Sequence, residues 1–243
     1  MSQDDGRMRG SNPAAPIAGH LKIPAVFSSP ACTGFLKNMN KPQNGVSTLH
    51  ASEIANLLRP VEGEQRLVLM VGAPGSGKST LARSIERAQT GFVRLSLDSV
   101  RQRLFGSEAD QSEPERVVDA FREEFEERLL GKHSVLVDNT NVTGVHRRTW
   151  IEIAQNRGVR DIHILVMNAP LSRCLQRNRS RERVVPEDVL HDMHARLNGR
   201  DWPGGGEGRI TIVRPTWHDN MYKVSGALLH LRKMQRQANR DAG

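Results

Sequence analysis

Apolar residues follow no sustained period before about residue 60 and fall into short regular runs from Arg66 onward. "RLVLMVG" (66–72) is an apolar run stopped by glycine, the pattern of a buried strand. In "STLARSIERAQ", Leu81 and Ile85 stand four residues apart, which predicts a helix. "GFVRLSLD" predicts a second strand and "SVRQRLFG" a short helix. "EPERVVDAFREEFEERLLGK" sets Val117, Phe121, Phe125 and Leu129 on one stripe of a long helix. There follow a strand "HSVLVD", a helix "HRRTWIEIAQNRG" ended by Gly158, and a strand "RDIHILVMN". Two helices, "PLSRCLQRN" and "PEDVLHDMHARL", each open on a proline. "WPGGGEG" reads as a surface loop, "GRITIVRP" as a last strand and "LLHLRKMQRQANR" as a basic C-terminal helix. Strands alternating with helices imply an α/β fold, a parallel sheet with helices on both faces.

The segment before Arg66 behaves differently. "GSNPAAPIAGHLKIPAVFSSPACTGF" is punctuated by Pro, Gly and Ser too often for regular elements. Residues 1–60 read as an N-terminal arm, mostly disordered over about the first 48, and residues 61–243 as the folded domain. "STLHASEIANLL" predicts a short helix capped by Ser47 or Thr48. The arm has no acid between Asp5 and Glu53, as some organelle transit peptides do, but few arginines.

Composition narrows the class. The net charge of +8 favours polyanionic partners through long-range attraction. Aromatic residues are only 4% of the chain, too few for a broad base-stacking platform, so nucleic acid would be held mainly through phosphates. The two cysteines, Cys32 and Cys174, make neither a disulfide framework nor a zinc spacing, which suits a reducing, cytoplasmic compartment. No stretch approaches the ~20 apolar residues that cross a bilayer.

The most specific local signal is "VLMVGAPGSGKST". Gly72, Gly77, Lys78 and Ser79 satisfy the phosphate-loop spacing, with an apolar strand before it and a helix after it. In such a loop the backbone of residues 72–80 (Gly72, Ala73, Pro74, Gly75, Ser76, Gly77, Lys78, Ser79 and Thr80) wraps a phosphate. The lysine reaches the β- and γ-phosphates and the serine hydroxyl ligates Mg²⁺. A nucleoside triphosphate, ATP, is therefore the expected ligand, with Mg²⁺. Two further strand ends carry carboxylates. Asp98 in "SLDSVR" is a candidate base for an attacking hydroxyl, with Arg101 one helical turn on; the alternative is that Asp98 only caps the next helix. Asp138 in "VLVDNTN" has the form of a carboxylate that assists Mg²⁺. Asn139, Thr140 and Asn141 are candidates to bond the acceptor or to hold Asp98 and Arg101; an Asx turn is the plainer reading. "RCLQRNRSRER" crowds five arginines into eleven residues, either a solvated face or a polyanion site.

In order, "GAPGSGKST…LDSVR…DNTN…HRRTW…RNRSR…VVPEDVL" resembles the kinase module of phage-type polynucleotide 5′-kinases, within the superfamily of small P-loop kinases. The likeness spans roughly residues 66–200. It implies a P-loop kinase fold with an arginine-rich lid, and ATP-dependent phosphorylation of 5′-hydroxyl ends of RNA or DNA. It also implies roles: Asp98 as the base, Arg101 on the adjacent substrate phosphate, and Arg177 and Arg181 as paired lid residues. Arg181 matches the arginine that touches the transferring phosphoryl group. Neither a D-x-D-x-T phosphatase motif nor a ligase lysine motif is present. The alternatives are a small-molecule hydroxyl kinase of the same superfamily and a nucleotide-dependent nucleic-acid binder without phosphoryl transfer.

Overall fold

The computed structural model describes residues 45–241, apart from residues 90, 182, 205 and 217. Of the arm expected over residues 1–60, residues 1–44 lie outside the described residues. In chain order the elements are β1 (Ser47–His50), α1 (Ala51–Leu57), β2 (Arg66–Val71), α2 (Lys78–Ala88), β3 (Phe92–Leu95), α3 (Leu97–Phe105), α4 (Pro114–Leu130) and β4 (Ser134–Val137). Then come α5 (Gly144–Asn156), β5 (Asp161–Met167), α6 (Leu171–Arg179), α7 (Glu187–Leu197), β6 (Arg209–Pro215), β7 (Met221–Gly226) and α8 (Ala227–Asp241). The strands form one sheet in the order β1-β7-β6-β5-β2-β4-β3. Pairing is parallel from β3 through β6, and β7 and β1 add antiparallel at one edge.

Alternation along the central strands decides which residues each face buries. On β2, Val68 and Met70 join a cluster with Leu81 and Ile85 of α2, Ile54 of α1 and Leu228 of α8. Leu67 and Leu69 face the other way, onto Phe121, Phe125 and Leu129 of α4 and Trp150 and Ile151 of α5. Every residue of β2 is buried, so the run reads as continuously apolar rather than alternating, as expected for a central parallel strand. Trp150 stands edge-on to Phe121, with ring centroids 4.9 Å apart, and fills this core instead of offering a stacking surface.

Three sequence expectations change. Ser47 and Thr48 belong to a strand, not to a helix cap. The helix starts at Ala51, with His50 as its cap: His50 Nδ1 accepts from the Ser52 amide at 3.2 Å, and Glu53 accepts from the His50 amide at 2.9 Å. This reciprocal pair anchors the helix start. The domain boundary expected at residue 61 also moves, because Leu49, Ile54, Ala55 and Leu58 are fully buried in the main core. Finally, the sheet is mixed, and "GRITIVRP" is not the last strand. β7 was hidden because "MYKVSG" offers little apolar material. Its Tyr222 and Val224 alternate with exposed or half-buried residues, as on a strand with one covered face.

Candidate active site

The carboxyl ends of β2, β3 and β4 open into one cleft of about 670 Å³, on the edge where parallel α/β sheets hold ligands. Its floor is the loop between β2 and α2. Gly75 and Gly77 have φ of +76° and +97°, a region that side-chain-bearing residues rarely enter. A Cβ on Gly75 would stand 2.5 Å from the Cys174 carbonyl oxygen, so the loop is pressed against α6. Gly77 occupies the cap position of α2 and supplies no side-chain cap, leaving the first-turn amides to an anion. Pro74, Gly75, Gly77, Lys78, Ser79 and Thr80 line the cleft, whereas Gly72, Ala73 and Ser76 are buried behind it and shape the loop.

Lys78 is buried, and its Nζ donates to the Ala73 carbonyl oxygen at 2.9 Å. Burial lowers its pKa from 10.5 to about 8; nearby Arg181 pushes in the same direction, and Asp138 opposes both. The burial cost of the ammonium thus outweighs the pull of the Asp138 carboxylate. Ser79 Oγ donates to Asp138 Oδ1 at 3.1 Å. Arg94 of β3 donates to the other carboxylate oxygen, also at 3.1 Å, and its Nε donates to Glu86 at 3.2 Å. Burial pushes the Asp138 carboxyl above its ordinary value, against the pull of Lys78, Ser79 and Arg94. A hydroxyl beside a buried carboxylate is oxygen-donor chemistry that fits Mg²⁺, which uses few protein ligands alongside phosphate and water. No cluster of three or more His, Cys, Asp or Glu suited to a metal occurs among the described residues.

The opposite wall carries Asp98. It does not cap its helix. α3 begins at Leu97 and is capped by Ser96, whose Oγ accepts from the Ser99 amide at 3.0 Å. Asp98 sits in the first turn with its side chain 38% exposed and lines the cleft. Its Oδ1 accepts from Arg101 Nη1 at 2.7 Å, and Arg183 Nη1 lies 3.7 Å from the same oxygen. Arg101 is nearly buried, and its Nε has no hydrogen-bond partner. Asn139 Oδ1 accepts from the Leu97 amide at 2.9 Å and so ties the start of α3 to the end of β4, while its Nδ2 is buried without a partner.

Asn141 departs from the expected role. It is 3% exposed, does not line the cleft, and donates from Nδ2 to the Met70 carbonyl oxygen at 2.9 Å. At φ +45° it makes the turn that asparagine tolerates better than most residues. Buried Arg147 holds the same turn by donating to the carbonyls of Asn141 and Val142 at 3.0 and 2.8 Å. Asn141 is a structural tie, not a substrate contact.

The arginine run divides. Arg177, Arg181 and Arg183 line the cleft, with Arg177 Nη1 at 3.5 Å from the Gly75 carbonyl oxygen. Arg173 donates to the carbonyls of Pro215 and Thr216, and Arg179 pairs with Glu187 with its side chain 70% exposed. α6 ends at Arg179, so Arg177 and Arg181 do not share a continuous helix face; both reach the cleft because the chain turns at Ser180. Arg94 carries no assignment in the sequence, and Arg183 is left with the rest of the arginine run between a solvated face and a polyanion site. A lone arginine inside the apolar strand "FVRLSL" was the one visible sign of Arg94.

Residues 67–199 match the AAA domain family, and the chain belongs to it. Its phosphate loop, set between β2 and α2 at the floor of the cleft, is that of a P-loop nucleotide-binding domain. The chain is 28% identical over 142 residues to the L-seryl-tRNA(Sec) kinase of Methanococcus maripaludis, covering 57% of this chain and 53% of that protein. It is 35% identical over 91 residues to the bifunctional polynucleotide phosphatase/kinase of Schizosaccharomyces pombe, covering 37% of this chain and 18% of the other. The chain therefore spans about half the length of one curated relative and under a fifth of the other. Among solved structures, the Pnkp1/Rnl/Hen1 RNA repair complex contains a chain with the same fold. The TM-score is 0.51 at 24% identity, over 57% of this chain and 45% of that one. No helix among the described residues is long and apolar enough to cross a membrane.

Proposed function

We propose that the protein transfers the γ-phosphoryl group of ATP to the 5′-hydroxyl end of a polynucleotide. The carrying observation is the acceptor wall. Asp98 is released from capping duty by Ser96, faces the cleft, and stands beside an arginine with a buried, unpartnered Nε. A base flanked by an unsatisfied guanidinium suits a hydroxyl next to a phosphate.

The triphosphate lies on the loop of residues 74–80, with Lys78 at its β- and γ-phosphates. Ser79 and Asp138 would hold Mg²⁺, which would supply charge neutralisation at the phosphate oxygens. Asp98 takes the hydroxyl proton, and the oxygen forms a bond to the γ-phosphorus in line with the bridging β–γ oxygen. That bond breaks and ADP leaves. Arg181 and Arg177 hold the charge spread over the transferring group. Asn139 keeps Asp98 in place by fixing the start of α3. Two lines of support agree: the resemblance in the order of motifs, and the 35% identity to a polynucleotide phosphatase/kinase.

A second reading has its own support. The longer match is to a seryl-tRNA kinase, whose name describes an amino-acid hydroxyl carried on RNA. The deciding assay supplies γ-labelled ATP with 5′-hydroxyl DNA and RNA oligonucleotides, seryl-tRNA, nucleosides and sugar acids in parallel. Label in the oligonucleotides is expected. Label in seryl-tRNA or a small molecule alone would replace the first reading, and ATP binding without any label would leave a nucleotide-dependent binder.

A further inference from the structure

We propose that Arg183 is a second phosphate-binding residue on the acceptor side, a specificity-determining contact to the nucleic-acid backbone and not part of the lid over ATP. This rests on the polynucleotide reading above. Arg183 follows the lid arginines in sequence, but its contacts point across the cleft. Its Nη1 is 3.7 Å from Asp98 Oδ1, and its Nη2 donates to Gln111 at 3.3 Å. Asp98 is thus approached by two guanidinium groups, from Arg101 and Arg183, on a single oxygen. Seven basic side chains line the cleft (Lys78, Arg83, Arg94, Arg101, Arg177, Arg181 and Arg183) against three acidic ones (Asp98, Glu108 and Asp138), so its lining keeps a positive excess.

The excess is not held in open water. The Arg183 side chain is 37% exposed and lies in the cleft. Burial, with Arg101 and Arg181 close by, lowers its proton affinity, the condition that an arriving anion relieves. Its hold on Asp98 is loose compared with the 2.7 Å bond from Arg101, so it can exchange that contact for a phosphate without breaking a tight ion pair. A guanidinium is suited to this, binding phosphate oxygens in pairs while remaining charged. An acceptor that carries phosphate, meaning a nucleic-acid end, gains from Arg183; a bare nucleoside does not.

The test compares wild type with Arg183→Gln and Arg183→Lys on a 5′-hydroxyl oligonucleotide and on the matching nucleoside. Arg179→Gln serves as control, since Arg179 pairs with Glu187 at the surface. For Arg183→Gln we expect the oligonucleotide KM to rise about tenfold, the size of one charge-assisted contact. KM for ATP and for the nucleoside should stay within twofold. The salt dependence of oligonucleotide binding, measured without ATP so that no turnover occurs, should lose about 0.7 from its log–log slope, one single-strand phosphate contact. Arg183→Lys should recover part of both effects. A raised KM for ATP, equal damage with oligonucleotide and nucleoside, or an unchanged salt slope would each overturn the assignment. If wild type transfers to oligonucleotides and Arg183→Gln matches it, the Arg183 proposal alone fails. If wild type neither binds nor phosphorylates oligonucleotides, the polynucleotide reading fails and takes this proposal with it.

Discussion

The donor wall of the cleft comes from one short loop within residues 74–80, where Gly77 leaves the first-turn amides of α2 without a side-chain cap. The acceptor wall gathers side chains from three places: Asp98 and Arg101 on α3, Asn139 after β4, and Arg183 after α6. A backbone cradle depends on glycines at fixed spacing, so it leaves a dense local signature. A wall of side chains depends on the fold to bring it together, so its signature is scattered. The two walls also differ in what each residue must give up. Lys78 is fully committed inside its loop, whereas Asp98 is left half exposed because Ser96 carries the helix cap.

That contrast makes the strongest prediction. Asp98→Asn keeps the shape of the acceptor wall but removes the base, and kcat should fall by roughly 10²–10⁴-fold with ATP affinity retained. Thermal stability should fall only modestly, because the cap bond belongs to Ser96 and the Asn amide oxygen can still accept from Arg101; the losses are ~0.3–1 kcal/mol of helix-end electrostatics and the charge on the Arg101 bond. Lys78→Ala is the donor-wall counterpart. It should cost on the order of 10²–10³-fold in turnover together with weakened ATP binding. Steady-state kinetics with calorimetric ATP titrations separate the two. Normal turnover in folded Asp98→Asn would remove the base from the scheme.

The arginines sharpen the same division. Arg181→Ala should reduce kcat on every acceptor, by about 10²–10³-fold, because charge develops on the transferring phosphoryl group whatever accepts it. Arg101→Ala should act mainly through acceptor KM, raising it roughly 10–100-fold for a nucleoside 3′-monophosphate or an oligonucleotide. A nucleoside without phosphate should hardly notice the change. Equal loss on both acceptors would mean that Arg101 serves only to hold Asp98.

The contrast also explains what the sequence disclosed. The parallel centre of the sheet was legible because β2, β4 and β5 are nearly uniformly apolar and are punctuated by glycine or proline. β1 and β7 were not, since each buries one face and carries few apolar residues. Within the site, glycine spacing located the loop of residues 74–80 and an apolar run located Asp138 at the end of β4, whereas Asp98, expected at a strand end, lies in the first turn of α3. The direction of a side chain in a turn could not be assigned: Asn139 and Asn141 are two residues apart, yet one lines the cleft and the other is buried against β2. Arg179 and Arg183 were equally indistinguishable until the end of α6 set their directions.

Asn141 gives a smaller effect of a different kind. Asn141→Ala leaves the Met70 carbonyl without its donor and puts alanine in a left-handed turn, so unfolding should become easier by ~1–3 kcal/mol. Acceptor KM should change little in the folded fraction. Chemical denaturation and kinetics on the same sample test this. A large KM effect without loss of stability would return Asn141 to the acceptor wall.

The smallest expected signal comes from the proton on Lys78. In the unfolded chain the ammonium keeps its proton up to about 10.5, and in the folded loop only up to about 8, chiefly because of burial. Between those values the folded protein binds fewer protons than the unfolded one, so this group makes stability rise with pH across that window. A bound triphosphate adds negative charge beside Lys78 and draws its pKa upward. Nucleotide binding at pH 8 should therefore take up about half a proton per site, the fraction missing from a group titrating near that pH. Isothermal titration of ATP in two buffers of different ionisation enthalpy measures the uptake directly. Lys78→Met provides the baseline for protons exchanged by the nucleotide and by the cleft carboxylates. Uptake that is the same in wild type and Lys78→Met would mean that Lys78 is already fully protonated in the folded loop. The donor wall would then be preorganised in charge as well as in shape, unlike the acceptor wall, where Asp98 must start deprotonated to act.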